Sequence, residues 1–400
     1  MQVAEALALV LADAKPLAVE RVPLSAALGR ILAEDLVALR TQPPAALSAM
    51  DGYAVRAADV SAAPATLKLI GEVAAGHPFS GTVRAGEAAR IFTGGVMPPG
   101  SDTVVIQEFV TRDGDNVIVN RSTGRGKNVR AAGIDFSAND VLLPKGRRLT
   151  DRDLMLAAAM NYPNLPVHRK PRIALLGTGD ELVLPGSPLK PGEIVYSNGF
   201  ALLGLIQREG AEPLNLEIAR DNVGDIAAAA RRARELRADV LVTTGGASVG
   251  DHDLVQRALA EEGLTLSFWR IALRPGRPML HGRLGDMPVL GLPGNPVSAY
   301  VCAVLFLIPL IRSLSGRADI TPRSERAILA NGLPANDERA DYLRATLTTE
   351  PDGTLVATPF PLQDSSLMAP LAKADCLVIR PPHAPAAPAG TQCDILKLCL

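Results

Sequence analysis

The segment Thr244-Gly245-Gly246-Ala247-Ser248-Val249-Gly250-Asp251-His252-Asp253 combines residue types that suit anion chemistry. It follows a short apolar run and precedes a helical pattern. Glycines there let backbone N–H groups turn inward around an anion, and a helix N-terminus adds favourable potential. Asp251 and Asp253 would repel a phosphate unless a cation stood between them, so the pair suggests Mg²⁺ beside a phosphate. Turn geometry and an Asp N-cap explain the same residues without a ligand. A second segment, Leu176-Gly177-Thr178-Gly179-Asp180-Glu181-Leu182, also ends a strand pattern. Its two adjacent carboxylates could hold a cation or take a proton, or simply face water.

A third segment runs Gly291-Leu292-Pro293-Gly294-Asn295-Pro296-Val297-Ser298. Asn295 is a natural N-cap and Pro296 a natural first helical residue. Ser298 then falls in the first turn, where a hydroxyl and free N–H groups make an oxyanion seat. Capping explains Asn295 and Pro296 but not the preceding Gly-Leu-Pro-Gly, which reads as close backbone approach. The fourth, Arg270-Ile271-Ala272-Leu273-Arg274-Pro275-Gly276-Arg277-Pro278, clusters three arginines where a strand meets a turn. Their forked donors suit oxyanions. Ser48-Ala49-Met50-Asp51-Gly52-Tyr53-Ala54 and Arg90-Ile91-Phe92-Thr93-Gly94-Gly95-Val96-Met97-Pro98 read as turns with no mechanism of their own.

The elements that must carry these loops follow from periodicity. Residues 1–40 read as helical, with Val3, Leu7, Val10 and Leu11 on one face. Short β-type runs at Thr66–Val73, Ala88–Phe92, Thr103–Gln107 and Asn116–Val119 predict a small β domain over 43–138. Thr150 is a plausible N-cap for a helix over 150–162, expected to pack on the N-terminal helix across the insertion. From Lys170 the pattern alternates. Strands are expected at Arg172–Leu176, Leu214–Ile218, Asp239–Thr243, Leu264–Leu273 and Val289–Leu292. Helices are expected at Ser197–Arg208, Val223–Leu236, Asp253–Glu262 and Pro296–Ser313. Such alternation predicts a mostly parallel sheet covered on both faces, with ligands at the carboxyl ends of its strands. The fold class is therefore multidomain α/β. A discontinuous linker domain (1–42 and 139–170) carries the inserted β domain (43–138). The α/β domain (171–317) and a C-terminal β domain (318–400) follow.

The 400 residues carry 41 Lys plus Arg against 42 Asp plus Glu, a formal net charge of -1. Near neutrality argues against nucleic acid or a membrane surface as partner. The 48% hydrophobic content rules out a disordered chain. Cys302, Cys376, Cys393 and Cys399 form no C-x-x-C pair, so neither a zinc knuckle nor a disulfide framework is expected. Met1–Pro16 lacks the basic start of a signal peptide. The apolar run Val297–Ile311 falls short of the roughly 20 residues a bilayer span needs, and Pro309 is expected to break it. A cytoplasmic location is expected.

Six ordered motifs now identify a family: Met-Asp-Gly-Tyr-Ala, Ile-Phe-Thr-Gly, Ser-Asp-Thr-Val-Val-Ile-Gln-Glu, Gly-Thr-Gly-Asp-Glu-Leu, Gly-Gly-x-Ser-Val-Gly-Asp-x-Asp and Gly-Leu-Pro-Gly-Asn-Pro-Val-Ser. Over nearly its whole length the chain resembles the molybdopterin molybdenumtransferases, the MoeA and gephyrin E-domain family. The resemblance implies an elongated homodimer of four-domain subunits with a barrel-like C-terminal domain. It implies Mg²⁺-dependent insertion of molybdate into adenylylated molybdopterin, with release of AMP and molybdenum cofactor. Substrate would come from a molybdopterin adenylyltransferase and product would pass to molybdoenzyme chaperones. By resemblance, Glu181, Asp221 and Asp253 belong to the nucleotide–Mg²⁺ side, and Asp51 and Thr93 reach in from the partner subunit. Gly245, Gly246, Ser248, Gly250, Asp251, Pro293, Gly294 and Asn295 would contact the adenylylated substrate. Arg274, Arg277 and Ser298 would hold molybdate, joined by Arg344 and Ser365 from the C-terminal domain.

The chain departs from the family pattern in three places. It has Arg274-Pro275-Gly276-Arg277-Pro278 for Lys-Pro-Gly-Lys-Pro, Gly133-Ile134-Asp135 for Gly-Glu-Asp, and Gln363-Asp364-Ser365-Ser366 for Gln-Gly-Ser-His. Two other readings share the α/β unit. An adenylyltransferase-like enzyme would lack the N-terminal domains and the C-terminal β domain. A non-catalytic dimeric scaffold would not need its acidic loops.

Overall fold

The computed structural model describes residues 1–245 and 254–398. At its centre is a six-stranded sheet. Its spatial order is Glu212–Ala219, Arg172–Thr178, Val240–Thr244, Met287–Leu292, Pro278–Leu284 and Leu264–Arg270. The first four strands are mutually parallel and the last two join antiparallel. Arg172–Thr178 is buried almost throughout and reads Ile-Ala-Leu-Leu, as a strand covered on both faces should. One core lies on each face of the sheet. One contains Leu175, Val242, Leu290 and Phe306; the other contains Leu176, Leu241, Ile226 and Leu259.

Three expectations fail here, each for a physical reason. Pro278–Leu284 is an interior strand that Pro278 and Gly282 disguised as a turn. Pro278 stands at its first residue, where a missing N–H is tolerated. A Cβ on Gly282 would lie 2.6 Å from the Thr265 carbonyl oxygen. The expected strand Leu264–Leu273 ends at Arg270, and Leu273–Arg274 crosses to pair with Ala340–Asp341 of the C-terminal unit. Pro309 does not break its helix. Pro296–Leu314 is continuous, long and apolar enough to cross a membrane, but almost wholly buried as a core helix. A π segment at Ala303–Leu307 directly precedes the proline turn, the usual way a helix absorbs a missing donor.

The expectation of a helical 1–40 is also corrected. Only Val3–Leu11 is α-helix, and it packs on the Pro296–Leu314 helix rather than on Asp151–Ala159. Leu17 N–H donates to Leu314 O at 2.9 Å, which anchors the exit of that helix. The chain then forms the strand Val19–Pro23, paired antiparallel with Asn164–His168. β-Branched Val19 and Val22, and prolines at 16 and 23, favour extension over helix. Thr150 caps the Asp151–Ala159 helix, in a capping box with Asp153.

The inserted unit is a six-stranded sheet centred on Gly52–Val55, Glu87–Ile91 and Ala65–Val73. Gly52 lies so close to Val105 that a Cβ would sit 2.0 Å from its carbonyl oxygen. Gly52→Ala should therefore destabilise by at least about 1–3 kcal/mol, read as a lowered denaturation midpoint. An unchanged midpoint would contradict this packing. In the C-terminal unit, five strands close a barrel through the pairing of Ala340–Thr349 with Cys376–Arg380.

His281 is a second stability element. It is buried in Pro278–Leu284, with its ring 5.4 Å from that of Phe268. Burial, then the nearby Arg283, pushes its pKa down to about 4. The unfolded chain binds this proton near pH 6.5, the native one only near 4. The stabilisation is complete above pH 6.5 and falls as pH drops, by about 3 kcal/mol at pH 4. His281→Phe should flatten this limb of the denaturation profile between pH 6.5 and 4; an identical limb would exclude His281 as its source.

Candidate active site

The parallel strands Arg172–Thr178, Val240–Thr244 and Met287–Leu292 end on one edge of the sheet. A cavity of about 370 Å³ opens there, lined by Thr178, Glu181, Tyr196, Asn198, Gly245 and Gly294, among others. Gly245 has φ +89° and passes over Thr178, where a Cβ would lie 2.3 Å from the carbonyl oxygen. Only glycine brings backbone this close in that conformation. Tyr196 forms one wall. Cβ atoms on Gly177 and Gly199 would meet its ring at 2.7 and 2.4 Å, so both glycines are there for the tyrosine. Asn198 Nδ2 donates to Gly294 O at 2.7 Å and fixes the Gly-Asn-Pro turn.

The acidic side is partly assembled. Asp180 N–H donates to Asp221 Oδ2 at 3.4 Å, and Asp221 N–H to Asp180 Oδ1 at 3.1 Å. Glu181, beside them in sequence, lines the cavity. Asp180, Glu181 and Asp221 are exposed, and none is ion-paired among the described residues. Hard oxygen donors left without a cation suit Mg²⁺. Among the described residues, however, no three His, Cys, Asp or Glu side chains gather as a metal cage. Gly246, Ser248, Gly250, Asp251 and Asp253 lie outside the described residues, so the donors available for the fit are Glu181 and Asp221.

The C-terminal barrel closes the other side. Asn295 and Pro296 hold the N-cap and first helical positions as expected, but the Asn295 side chain makes no cap bond: its Nδ2 donates to Ser365 Oγ at 2.8 Å, and Val297 N–H donates to Ser365 O at 3.0 Å. Ser365 is thereby docked on the start of the helix that carries the buried Ser298. Pro293 is buried beneath this junction. Ser366 and Met368 complete the cavity wall. Ser366 donates through both N–H and Oγ to Asp364 Oδ1, at 2.8 and 2.6 Å. Those bonds hold the Asp364 carboxyl below its ordinary pKa.

Arg344 does not face a ligand. It is 1% exposed, and its guanidinium donates to the carbonyl oxygens of Leu367 (2.7 Å), Asp364 (2.9 Å) and Leu362 (3.2 Å) and to Gln363 Oε1 (3.4 Å). Arg344 builds the loop that presents Ser365. Arg274 is likewise engaged. It binds Asp337 Oδ2 at 3.0 Å, Asn336 Oδ1 at 2.9 Å and the carboxylate of Asp341. Hydrogen bonds from Arg339, with Arg274 nearby, hold Asp337 down to about 2. Arg277 is exposed and has no partner among the described residues. It follows Gly276, which packs on Cys302, and Pro278 pairs back with Arg270. Arg277 therefore lies at the same sheet edge as Thr178, Thr244 and Leu292. In this structure the Arg344 and Arg274 guanidinium groups are thus engaged by protein acceptors, whereas the Arg277 side chain has none among the described residues.

Asp51 and Thr93 are brought to each other but do not line this cavity. Thr93 donates through N–H and Oγ1 to Asp51 Oδ1, at 2.7 and 2.8 Å, which lowers the Asp51 pKa. Sequence reasoning missed Tyr196, Asn198, Ser366 and Met368. Glycine on both sides of an aromatic, at Gly177 and Gly199, was the available signal for Tyr196. Ser366 and Met368 carried none, because a separate domain delivers them.

Loops at the carboxyl edge of a doubly covered parallel sheet, closed by a barrel-borne serine loop, define an α/β protein built to hold an oxyanion-bearing ligand. Three family models match the chain. They are the MoeA N-terminal region (domain I and II) over 1–161, the probable molybdopterin binding domain over 174–313 and the MoeA C-terminal region (domain IV) over 326–398. A molybdopterin molybdenumtransferase of Nostoc sp. is 40% identical over 306 residues, covering 75% of this chain and 70% of its own length. Those of Haemophilus influenzae and Bacillus subtilis are each 34% identical, covering 91% and 90% of this chain and 90% and 86% of their own lengths. The crystal structure of a molybdopterin biosynthesis MoeA protein from Pyrococcus horikoshii superposes with a TM-score of 0.86 at 32% identity, covering 99% of this chain and 98% of that one. The chain belongs to the molybdopterin molybdenumtransferase family, transferases of molybdenum cofactor biosynthesis.

Proposed function

We infer that the enzyme inserts molybdate into adenylylated molybdopterin with Mg²⁺ and releases AMP. The observation that carries this reading is the cavity at the strand ends. Glu181 lines it, with Asp221 bonded to the neighbouring Asp180, and Asn295, docked on Ser365, lines it as well; Arg277 lies at the same sheet edge. Mg²⁺ would be held by Glu181 and Asp221 and would supply neutralisation of phosphate charge. Gly245 and Gly294 bring backbone close to the nucleotide, and the Tyr196 wall limits where it can lie. Arg277 and the Pro296 helix start orient the oxyanion. The chain contributes positioning and preorganised charge rather than a covalent nucleophile. Cys302 and Cys376 are buried, and burial raises both thiols, so neither serves as one.

A homodimer fits this reading. Asp51, half-buried, and the exposed Thr93 sit on the inserted unit and do not line the cavity they would serve. Large apolar side chains at Leu28, Leu39, Val141 and Met155 are exposed on the linker unit. An adenylylated substrate requires an adenylyl-transfer step upstream. Binding of adenylylated molybdopterin, followed by intrinsic fluorescence, tests the nucleotide–metal part. Removing Mg²⁺ with chelator should weaken binding about tenfold or more in the wild type, and far less in Asp221→Asn. Equal affinity with and without Mg²⁺ would overturn the assignment.

A further inference from the structure

A second cavity, of about 440 Å³, lies between the far half of the Pro296–Leu314 helix and the barrel strands Ser324–Leu329 and Gln392–Lys397. Its helix residues, Val304, Ile308 and Arg312, lie about 12–24 Å along the helix from the Pro296 end, at 1.5 Å per residue. Arg208, Arg312, Arg317, Arg323 and Lys397 line it. Its carboxylates are consumed within the wall. Glu209 is shared by Arg312 (2.8 Å) and Arg317 (2.9 Å), Asp319 is held by Arg317, and Glu325 is paired with Lys397 at 2.8 Å. Five cations therefore face three carboxylates.

The surplus rests on Arg208 and Arg323. Arg208 Nη1 donates to the Leu398 carbonyl at 3.2 Å, and its buried Nε has no hydrogen-bond acceptor but lies 4.0 Å from Glu209 Oε1, already shared by two other arginines. Arg323 is exposed with no partner among the described residues. A fifth guanidinium, Arg148, donates to the Arg208 carbonyl oxygen at 2.8 Å. Burial, then the Arg317 charge, lowers the Arg148 pKa, as expected beside uncompensated positive charge. A concave site with more cations than carboxylates and low-dielectric walls attracts a compact dianion.

We propose that this cavity is a second anion site, separate from the strand-edge cavity, which binds a tetrahedral dianion of the phosphate class between Arg208 and Arg323. Its floor, Val304 and Ile308, belongs to the helix whose first turn carries Ser298, so the two sites share one rigid element.

Calorimetric titration with inorganic phosphate at constant ionic strength tests the site. The wild type should bind phosphate, Arg323→Glu at least tenfold more weakly, and Arg323→Lys nearly as well as wild type. Arg323 is exposed, so these variants should fold. Arg277→Ala, altered only at the other cavity, should retain the binding. Competition by molybdate would assign the site to the enzyme's own oxyanion, and its failure to a phosphate-bearing ligand; either is consistent with a dianion site. No phosphate binding, or binding unaffected by Arg323→Glu, would overturn the proposal. Loss in Arg277→Ala alone would do so too, by placing the anion at the strand-edge cavity.

Discussion

Arg344→Ala should lower turnover by about 100-fold, through the loop its guanidinium holds. Removing the guanidinium takes the charged donor from the carbonyl oxygens of Leu362, Asp364 and Leu367. Each such loss costs about 1–3 kcal/mol. The loop that places Ser365 on Asn295 then loses its frame, and a misplacement of about 1 Å at a reacting centre is enough for a 100-fold effect. Arg344→Lys should not rescue it, because one ammonium cannot span three carbonyls and Gln363. A purely local ligand role predicts a different outcome: Lys would restore much of the activity, and the melting temperature would not move. Turnover and thermal denaturation of both variants separate the two. Wild-type stability in Arg344→Ala would refute the structural role.

Arg277→Ala should raise the molybdate concentration needed for half-maximal turnover about 10- to 100-fold. That corresponds to one charge-assisted hydrogen-bonding group worth about 1.5–3 kcal/mol. Arg274→Ala should leave the molybdate requirement nearly unchanged and instead loosen the contact between the α/β unit and the barrel. Arg274 is committed to Asn336, Asp337 and Asp341 across that junction, whereas Arg277 is committed to nothing among the described residues. The two variants, assayed over a molybdate series with hydrogen exchange at 331–341, should behave oppositely. A raised molybdate requirement in Arg274→Ala with unchanged exchange would reverse the assignment.

The contrast between these arginines shows where sequence reasoning stops. The central sheet was legible because Arg172–Thr178, Val240–Thr244 and Met287–Leu292 are doubly buried and read as apolar runs closed by glycine. The loops at their ends were legible because glycine and carboxylate types survive any choice of partner. Arg274, Arg277 and Arg344 look alike in sequence, and their roles diverge only through what tertiary structure sets beside them. Carbonyls of residues 362–367 surround Arg344, and aspartates from the barrel meet Arg274. Leu273–Arg274 joining a strand of another unit, and Pro278–Leu284 hiding behind a proline and a glycine, are long-range events with no local signature. The N-terminal helix chose the Pro296–Leu314 surface for the same reason: its apolar face says that it packs, not on what.

Release of AMP from adenylylated molybdopterin, measured in a single turnover with Mg²⁺ present and with molybdate added or withheld, tests the central claim most directly. The proposed chemistry predicts AMP release that depends on molybdate and matches the molybdenum cofactor formed mole for mole. AMP released equally without molybdate, or no AMP released with it, would contradict it.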